Sequence, residues 1–201
     1  MAKRATDRRV QRTRKLLQDA LISMLIEKGY EATTVQDIID RANVGRATFY
    51  AHFADKETLL TSRLEDLRSF LAEQQRRAPG SLAFSLAMLE HARGHLSVWT
   101  AIVGRRTGTV VSQRIQSMIA DLVRVDIRAL DFKGTPEQRD LTVQYIAGAF
   151  MAVLIWWLDQ GAKLPPDEVN AIFRQLVMQG LAEEWGLRAS AKAKASHLKS
   201  V

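Results

Sequence analysis

Residues 34–53 read TVQDIIDRANVGRATFYAHF, and their spacing decides the architecture. Val35, Ile38, Ile39 and Ala42 recur at helical spacing and form one narrow apolar stripe. Thr34 stands directly before that run as a hydroxyl N-cap, and Asp37 follows three residues later, facing the free amides of the first turn. Asn43-Val44-Gly45 breaks the pattern, because Asn tolerates the left-handed conformation that ends a helix. Gly45 is an acceptable cap for a second short helix over about 46–52. A short helix, a tight turn and another short helix make a helix-turn-helix. Val44, Phe49 and Phe53 anchor its second helix inward, which leaves Arg46, Ala47, Thr48, Tyr50 and His52 facing outward.

Outward from that segment, Gly and Pro are sparse and fall between apolar periodic runs, which predicts an all-α chain. A first helix over about 7–28 carries Leu17, Leu21, Met24 and Leu25 on one face and stops at Gly29. Asp55 caps a long fourth helix from Lys56 to about Gln75. Further helices are expected over 81–93, 95–103, 108–130, 136–160 and 166–185. Val111, Ile115, Met118, Leu122 and Val125 set the buried face of one, and Thr135-Pro136-Glu137 opens the next with Pro at its first position. From Tyr145 to Leu158 that helix is apolar on every side, so it must be enclosed by protein all round. Val169, Ile172, Phe173, Leu176, Val177, Gly180 and Leu181 mark the last helix.

Charge narrows the function classes. The chain has 201 residues and a formal charge of +7, and residues 1–15 alone hold seven basic residues against one acid. Nearly all the excess therefore sits in an N-terminal arm directly before the helix-turn-helix, which suits a polyanionic partner. The far end, LRASAKAKASHLKSV, is basic without an apolar period and reads as a disordered tail. No cysteine is present, which excludes disulfides and thiolate chemistry. No secretory h-region occurs, and the longest apolar stretch, Ile146 to Leu158, is shorter than the ~20 residues of a membrane span. A cytoplasmic protein without a membrane partner is expected.

The outward residues suit DNA. Arg46 can bind guanine O6 and N7 in a bidentate manner, and Thr48 can meet base edges or a thymine methyl. Tyr50, His52 and Lys56 suit phosphate oxygens, and Thr34 adds a hydroxyl. Elsewhere no Ser/His/Asp or paired-carboxylate arrangement stands out, so neither an enzyme nor a cofactor is expected. His91 and His95 have a metal-ligand spacing, but Gly94 intervenes and no third ligand beyond Glu90 presents itself, so no metal site is assigned. Gly104-Arg105-Arg106-Thr107-Gly108 lacks the spacing and Lys of a phosphate loop and reads as an interhelical turn.

The stretch EKGYEATTVQDIIDRANVGRATFYAHFADKETLL resembles the DNA-binding domain of the tetracycline-repressor (TetR) family of transcriptional regulators. The likeness covers about residues 7–60 and implies DNA contacts by Thr34, Gly45, Arg46, Ala47, Thr48, Tyr50, His52 and Lys56. Three departures are Gly45 where the family often has Ser, Ala47 where it has Gly, and Ala51 where it has an aromatic or long side chain. A weaker likeness, YIAGAFMAVLIWWLDQGAKLPPDEVNAIF, resembles the last two helices of one branch, which form a dimeric four-helix interface. The resemblance implies a homodimer on a pseudo-palindromic double-stranded operator, repressing until a small-molecule effector binds. It implies a helix-turn-helix domain with its arm over 1–56, an effector-binding and dimerisation domain over 57–186, and the tail over 187–201. Phe84, Met88, His91, Trp99, Met118, Leu122, Phe150 and Trp157 are the candidate pocket residues. The alternative is a ligand-binding helical protein or enzyme without specific DNA binding.

Overall fold

A computed structural model describes residues 2–103, 109–130, 132 and 134–185. Among these residues the chain is all-α, as the periodicity predicts, with no strand. The order is α1 (Ala2–Ala32), α2 (Val35–Ala42), α3 (Arg46–Tyr50), α4 (Lys56–Arg77), α5 (Ala83–Gly94), α6 (Leu96–Val103), α7 (Thr109–Ala129), α8 (Pro136–Asp159) and α9 (Pro166–Trp185). The turn expected over 104–108 and the tail over 187–201 lie outside the described residues.

A head is built from α1 to α3 and closed by the first turns of α4. Leu17, Leu21 and Leu25 of α1 are buried in one core with Ile38 and Ile39 of α2 and Phe49 of α3, and Met24 is buried as well. Two helix starts follow the capping logic of the sequence. Thr34 Oγ1 accepts from the Asp37 amide at 3.2 Å while Asp37 Oδ2 accepts from the Thr34 amide at 2.7 Å, a reciprocal capping box. Thr135 and Gln138 repeat the device before Pro136 at the start of α8. Asn43 adopts φ 51°, the left-handed cap its side chain tolerates.

Four expectations are corrected. The first helix begins at Ala2, not near Asp7, because no Gly or Pro interrupts Ala2–Thr6 and Ala, Lys and Arg favour the helix. Gly29 does leave helical geometry, at φ 79°, but one more turn follows before Ala32. The second helix of the helix-turn-helix, α3, ends at Tyr50, two residues early, where Ala51 caps it. Val125 is exposed and Asp126 buried in its place, because the buried face of α7 also follows Ile115, Ile119 and Leu122, and a step of four from Leu122 lands on 126.

The fourth correction concerns α8. It packs mainly on α7, with further contact to α6 and α9, and buries Ile146, Phe150, Leu154 and Trp157. It is not enclosed all round. Leu141 (69% exposed), Tyr145 (63%) and Trp156 stand in the open. With half-buried Ala149 and exposed Ala152 they form a stripe at i, i+4, i+8, i+11 and i+15. On α9, Ile172 and Leu176 (66% exposed) repeat the pattern. By length and hydropathy alone α8 could also cross a membrane, but half of its apolar window is buried inside the protein, as in a core helix.

Two buried polar ties join α4 to α7. Gln75 Nε2 donates to the Leu122 carbonyl at 2.7 Å, and the Gly80 amide donates to Asp126 Oδ1 at 2.7 Å. The second tie holds the α4–α5 corner, where Gly80 (φ 73°) and Leu82 (φ 54°) are left-handed. Burial pushes the Asp126 carboxyl above its usual range, opposed by hydrogen bonds from Gln75 and Gly80.

Candidate nucleic-acid interface

The surface of α3 follows from what anchors it. Phe49 is fully buried (0% exposed) and Phe53 nearly so, with the two rings 6.2 Å apart between centroids. Val44 packs against the same core from the turn. Pinning these side chains inward forces Gly45, Arg46, Ala47 and Tyr50 into the open, with Thr48 and His52 half-buried at the edge. Arg46 lies with its guanidinium 5.7 Å from the Tyr50 ring centroid, a loose stack that leaves its donors to the outside. Thr34, exposed at the start of α2, stands on the same head with its hydroxyl engaged by Asp37.

Two ion pairs fix α2 on α1. Arg41 makes a bidentate bond to Glu27 at 2.5 and 2.6 Å, and Lys28 meets Asp37 at 2.7 Å. The Arg41 bonds hold the Glu27 carboxyl below its ordinary value, and Lys28 with Thr34 does the same for Asp37. All four groups are near the surface, so the pairs set orientation more than they add stability. Behind α3, Arg14 of α1 lies over the Phe53 ring at 4.7 Å.

Lys56 is placed differently from the expectation. Its Nζ donates to the carbonyls of Tyr30 at 2.9 Å and Thr33 at 2.8 Å, with Glu31 at 3.5 Å, and lies 4.5 Å from the Tyr30 ring centroid. An ammonium has three protons, and here each has a carbonyl to face. Lys56 therefore ties the first turn of α4 to the last turn of α1, with two close carbonyls and a third at the edge of hydrogen-bond reach. At the same helix start, Asp55 accepts from the Thr58 amide at 2.6 Å.

A second feature lies behind the head. A cavity of about 410 Å³ opens between α1, α4, α6 and α7, lined by aliphatic side chains that include Ile22, Ile26, Leu64, Ile102 and Ile115. Its polar residues are Asp19, Ser23, Arg63, His91 and His95. Of the candidate pocket residues, His91 and Trp99 line it. Phe84, Met88, Met118, Leu122, Phe150 and Trp157 do not; they are buried core. Phe84 meets Phe150 edge-on at 5.6 Å, Phe150 meets Phe173 at 5.2 Å, and the Trp157 indole donates to the Leu164 carbonyl at 2.9 Å. Aromatic residues at helical spacing serve core and cavity alike, so periodicity cannot separate them.

His91 and His95 stack with ring centroids 4.6 Å apart. The Trp99 indole donates to His91 Nδ1 at 3.1 Å, and His95 Nδ1 lies 3.0 Å from the His91 carbonyl. Among the described residues, no group of three His, Cys, Asp or Glu converges on a metal position. Burial, with the nearby His95 and Arg63, lowers the His91 pKa to about 4. Arg63 and Asp126 escaped the sequence reading. An acid one helical step beyond Leu122 was the available signal for Asp126; Arg63 has no sequence signal of its own.

A short recognition helix held outward on a helical head, with a separate helical body behind, defines a helix-turn-helix protein. The profile described as bacterial regulatory proteins, tetR family, matches residues 17–62. The profile of a transcriptional regulator C-terminal region matches residues 82–179. The chain belongs to the tetR family of bacterial regulatory proteins. The HTH-type transcriptional regulator YxbF of Bacillus subtilis is 29% identical over 85% of this chain, and the chain spans just under half, 46%, of that relative's length. The HTH-type transcriptional repressor KstR2 of Mycolicibacterium smegmatis is 25% identical over 82% of this chain and 88% of its own. A TetR transcriptional regulator from Streptococcus agalactiae superimposes with a TM-score of 0.67 at 29% identity, over 87% of this chain and 98% of that one.

Proposed function

We propose that this protein is a homodimeric, sequence-specific DNA-binding transcriptional regulator, a repressor released from its operator by a small-molecule ligand. The observation that carries the reading is the outward face of α3, with Arg46, Ala47 and Tyr50 exposed over a fully buried Phe49. Each protomer lays α3 in a major groove, where Arg46 and Thr48 read base edges and Tyr50 and His52 meet phosphates. Gly45 and Ala47 contact the DNA at the start of α3, the Ala47 methyl holding the helix slightly off the DNA backbone, and Thr34 contacts it from the start of α2. Lys56 acts indirectly in this reading, by holding the head together. The basic stretch over 1–15 adds salt-dependent, sequence-independent affinity.

The exposed stripes of α8 and α9 support dimerisation. Leu141, Tyr145 and Trp156 with Ile172 and Leu176 offer apolar area, and Ala149 and Ala152 permit close helix approach. A second copy covers the same stripes through a two-fold axis. The effector occupies the cavity behind the head and acts through α4 and α1. It shifts the operator equilibrium by binding the two head positions unequally, typically by ~1–3 kcal/mol. No catalytic step belongs to this reading, which places the protein in the cytoplasm with its DNA. The name of the KstR2 repressor supports the sign of the control.

Selection of bound oligonucleotides from a random pool tests the function. The expected result is enrichment of one pseudo-palindrome. Retention of all sequences alike, washed off by moderate salt, contradicts it.

A further inference from the structure

The regulator reading leaves the chemistry of the effector open, and the cavity carries an answer that rests on that reading. Most of its wall is aliphatic, with Ile22 and Ile26 from α1, Leu64 from α4, Ile102 from α6 and Ile115 from α7; Asp19, Ser23, Arg63, His91 and His95 are its polar part. A volume of about 410 Å³ is that of a small-ligand site. An aliphatic majority suits a ligand with a hydrocarbon part, and the few polar residues leave room for one polar head group.

The polar groups are unequal. Ser23 is already engaged by Arg41 and Glu27. Arg63, half-buried, makes no ion pair or side-chain hydrogen bond with any described residue. The Trp99 indole can only donate, so His91 Nδ1 carries the lone pair and the ring hydrogen sits on Nε2. The His91 carbonyl can only accept, so His95 Nδ1 carries a hydrogen. Arg63 and the His91 Nε2–H are thus donors without an assigned acceptor. Asp19 is the opposing group, a carboxylate on the exposed rim. Solvent screens its charge more than that of the half-buried guanidinium. The acceptors, Asp19 and His95 Nε2, belong to exposed residues, whereas the two donors, one of them a fixed cation, belong to half-buried ones.

We propose that the cavity is a site for a medium-chain aliphatic carboxylate, with its hydrocarbon between α1, α4, α6 and α7 and its head group on Arg63 and His91. Because α1 belongs to the head and α6 and α7 to the body, the hydrocarbon lies between the two. Its insertion moves α1 directly, without a relay through the dimer seam.

Calorimetric titration of the full chain with decanoate, decanol and decyltrimethylammonium tests this. Decanoate is expected to bind about tenfold or more tighter than decanol, as a charge-assisted head contact implies, with the ammonium weakest. Arg63→Gln is expected to remove the advantage of decanoate while leaving decanol unchanged, and Asp19→Asn to strengthen decanoate. Filling the chamber with Ile115→Trp abolishes both. Arg63 is half-exposed, so its variant tests the head group even if Ile115→Trp fails to fold. Equal binding of decanoate and decanol, preference for the ammonium, or no decanoate binding overturns the proposal. Operator retention by the same preparations without ligand is the separating measurement. Operator bound with no decanoate site refutes the ligand class and leaves the regulator; a decanoate site with no operator refutes the regulator and leaves the site.

Discussion

The helix-turn-helix and the α8–α9 pair use opposite means to present a surface. In the head, a few buried side chains, Ile38, Ile39, Phe49 and Phe53, pin a short polar segment outward. In α8 and α9 the outward face is made of the same residue types as the inward one: Trp157 is fully buried and its neighbour Trp156 is half exposed. Polar surface in the head is fixed by local chemistry, namely the capping box at Thr34, the left-handed Asn43 and the Arg41–Glu27 bridge. Apolar surface in α8 is fixed by what the rest of the chain fails to cover, which is a long-range property. The first kind of surface fits a partner rich in charge, and the second fits another copy of itself.

The largest effect that separates these modes comes from their anchors. Phe49→Ala removes a fully buried ring and is expected to lower stability by ~3–5 kcal/mol in denaturant unfolding, taking DNA binding with it. Tyr50→Ala, on the adjoining exposed position, leaves stability nearly unchanged. Equal losses for the two would break the picture of a helix pinned from one side.

Next, Trp156→Glu places like charges on facing copies. It is expected to convert dimer to monomer in sedimentation analysis, weakening association by about 100-fold or more while the helical circular-dichroism signal persists. A dimer that survives both this variant and Leu176→Glu refutes the seam. Arg46→Ala follows, with ~1–3 kcal/mol of discrimination lost at one base step and little change elsewhere in the selected site. A uniform loss across all sequences would instead make Arg46 a phosphate contact.

Behind the head, His91 gives a pH signature. Its folded pKa is depressed to about 4 against an ordinary 6.5. The unfolded chain therefore takes the proton first, and the stability held above pH ~6.5 is lost as pH falls toward ~4. His91→Gln removes this contribution, so melting temperature is expected to fall less steeply for the variant across that window. Parallel curves would contradict the buried, neutral imidazole. The smallest effect belongs to Gly45→Ser. An added Cβ meets nothing nearer than Thr48 Oγ1 at 3.8 Å, and a hydroxyl supplies the side-chain cap that α3 lacks, so a gain of a few tenths of a kcal/mol is expected on thermal unfolding.

The same contrast explains what was legible in the sequence. α2, its caps and the start of α8 follow from residues within four positions of one another, and their boundaries are read directly: Val35–Ala42 after Thr34, and Pro136 after Thr135. The inward and outward faces of α3 are equally local. Three features depend on distant neighbours and were not legible. The open stripe of α8 exists because α6, α7 and α9 cover only part of its circumference. The cavity exists because α1 meets α4 and α6 without filling the space that α7 also borders, and aromatic spacing points to Phe84, Phe150 and Trp157, which are core. Lys56 reads as an exposed cation until folding brings the Tyr30 and Thr33 carbonyls to its ammonium.

Hydroxyl-radical footprinting of the dimer on the selected operator bears most directly on the paired recognition helices. The account predicts two protected patches related by a dyad, with major-groove centres separated by one helical turn, ~34–36 Å, or more, each patch losing definition at one base step in Arg46→Ala. A single patch, or even protection along the whole fragment, would contradict it.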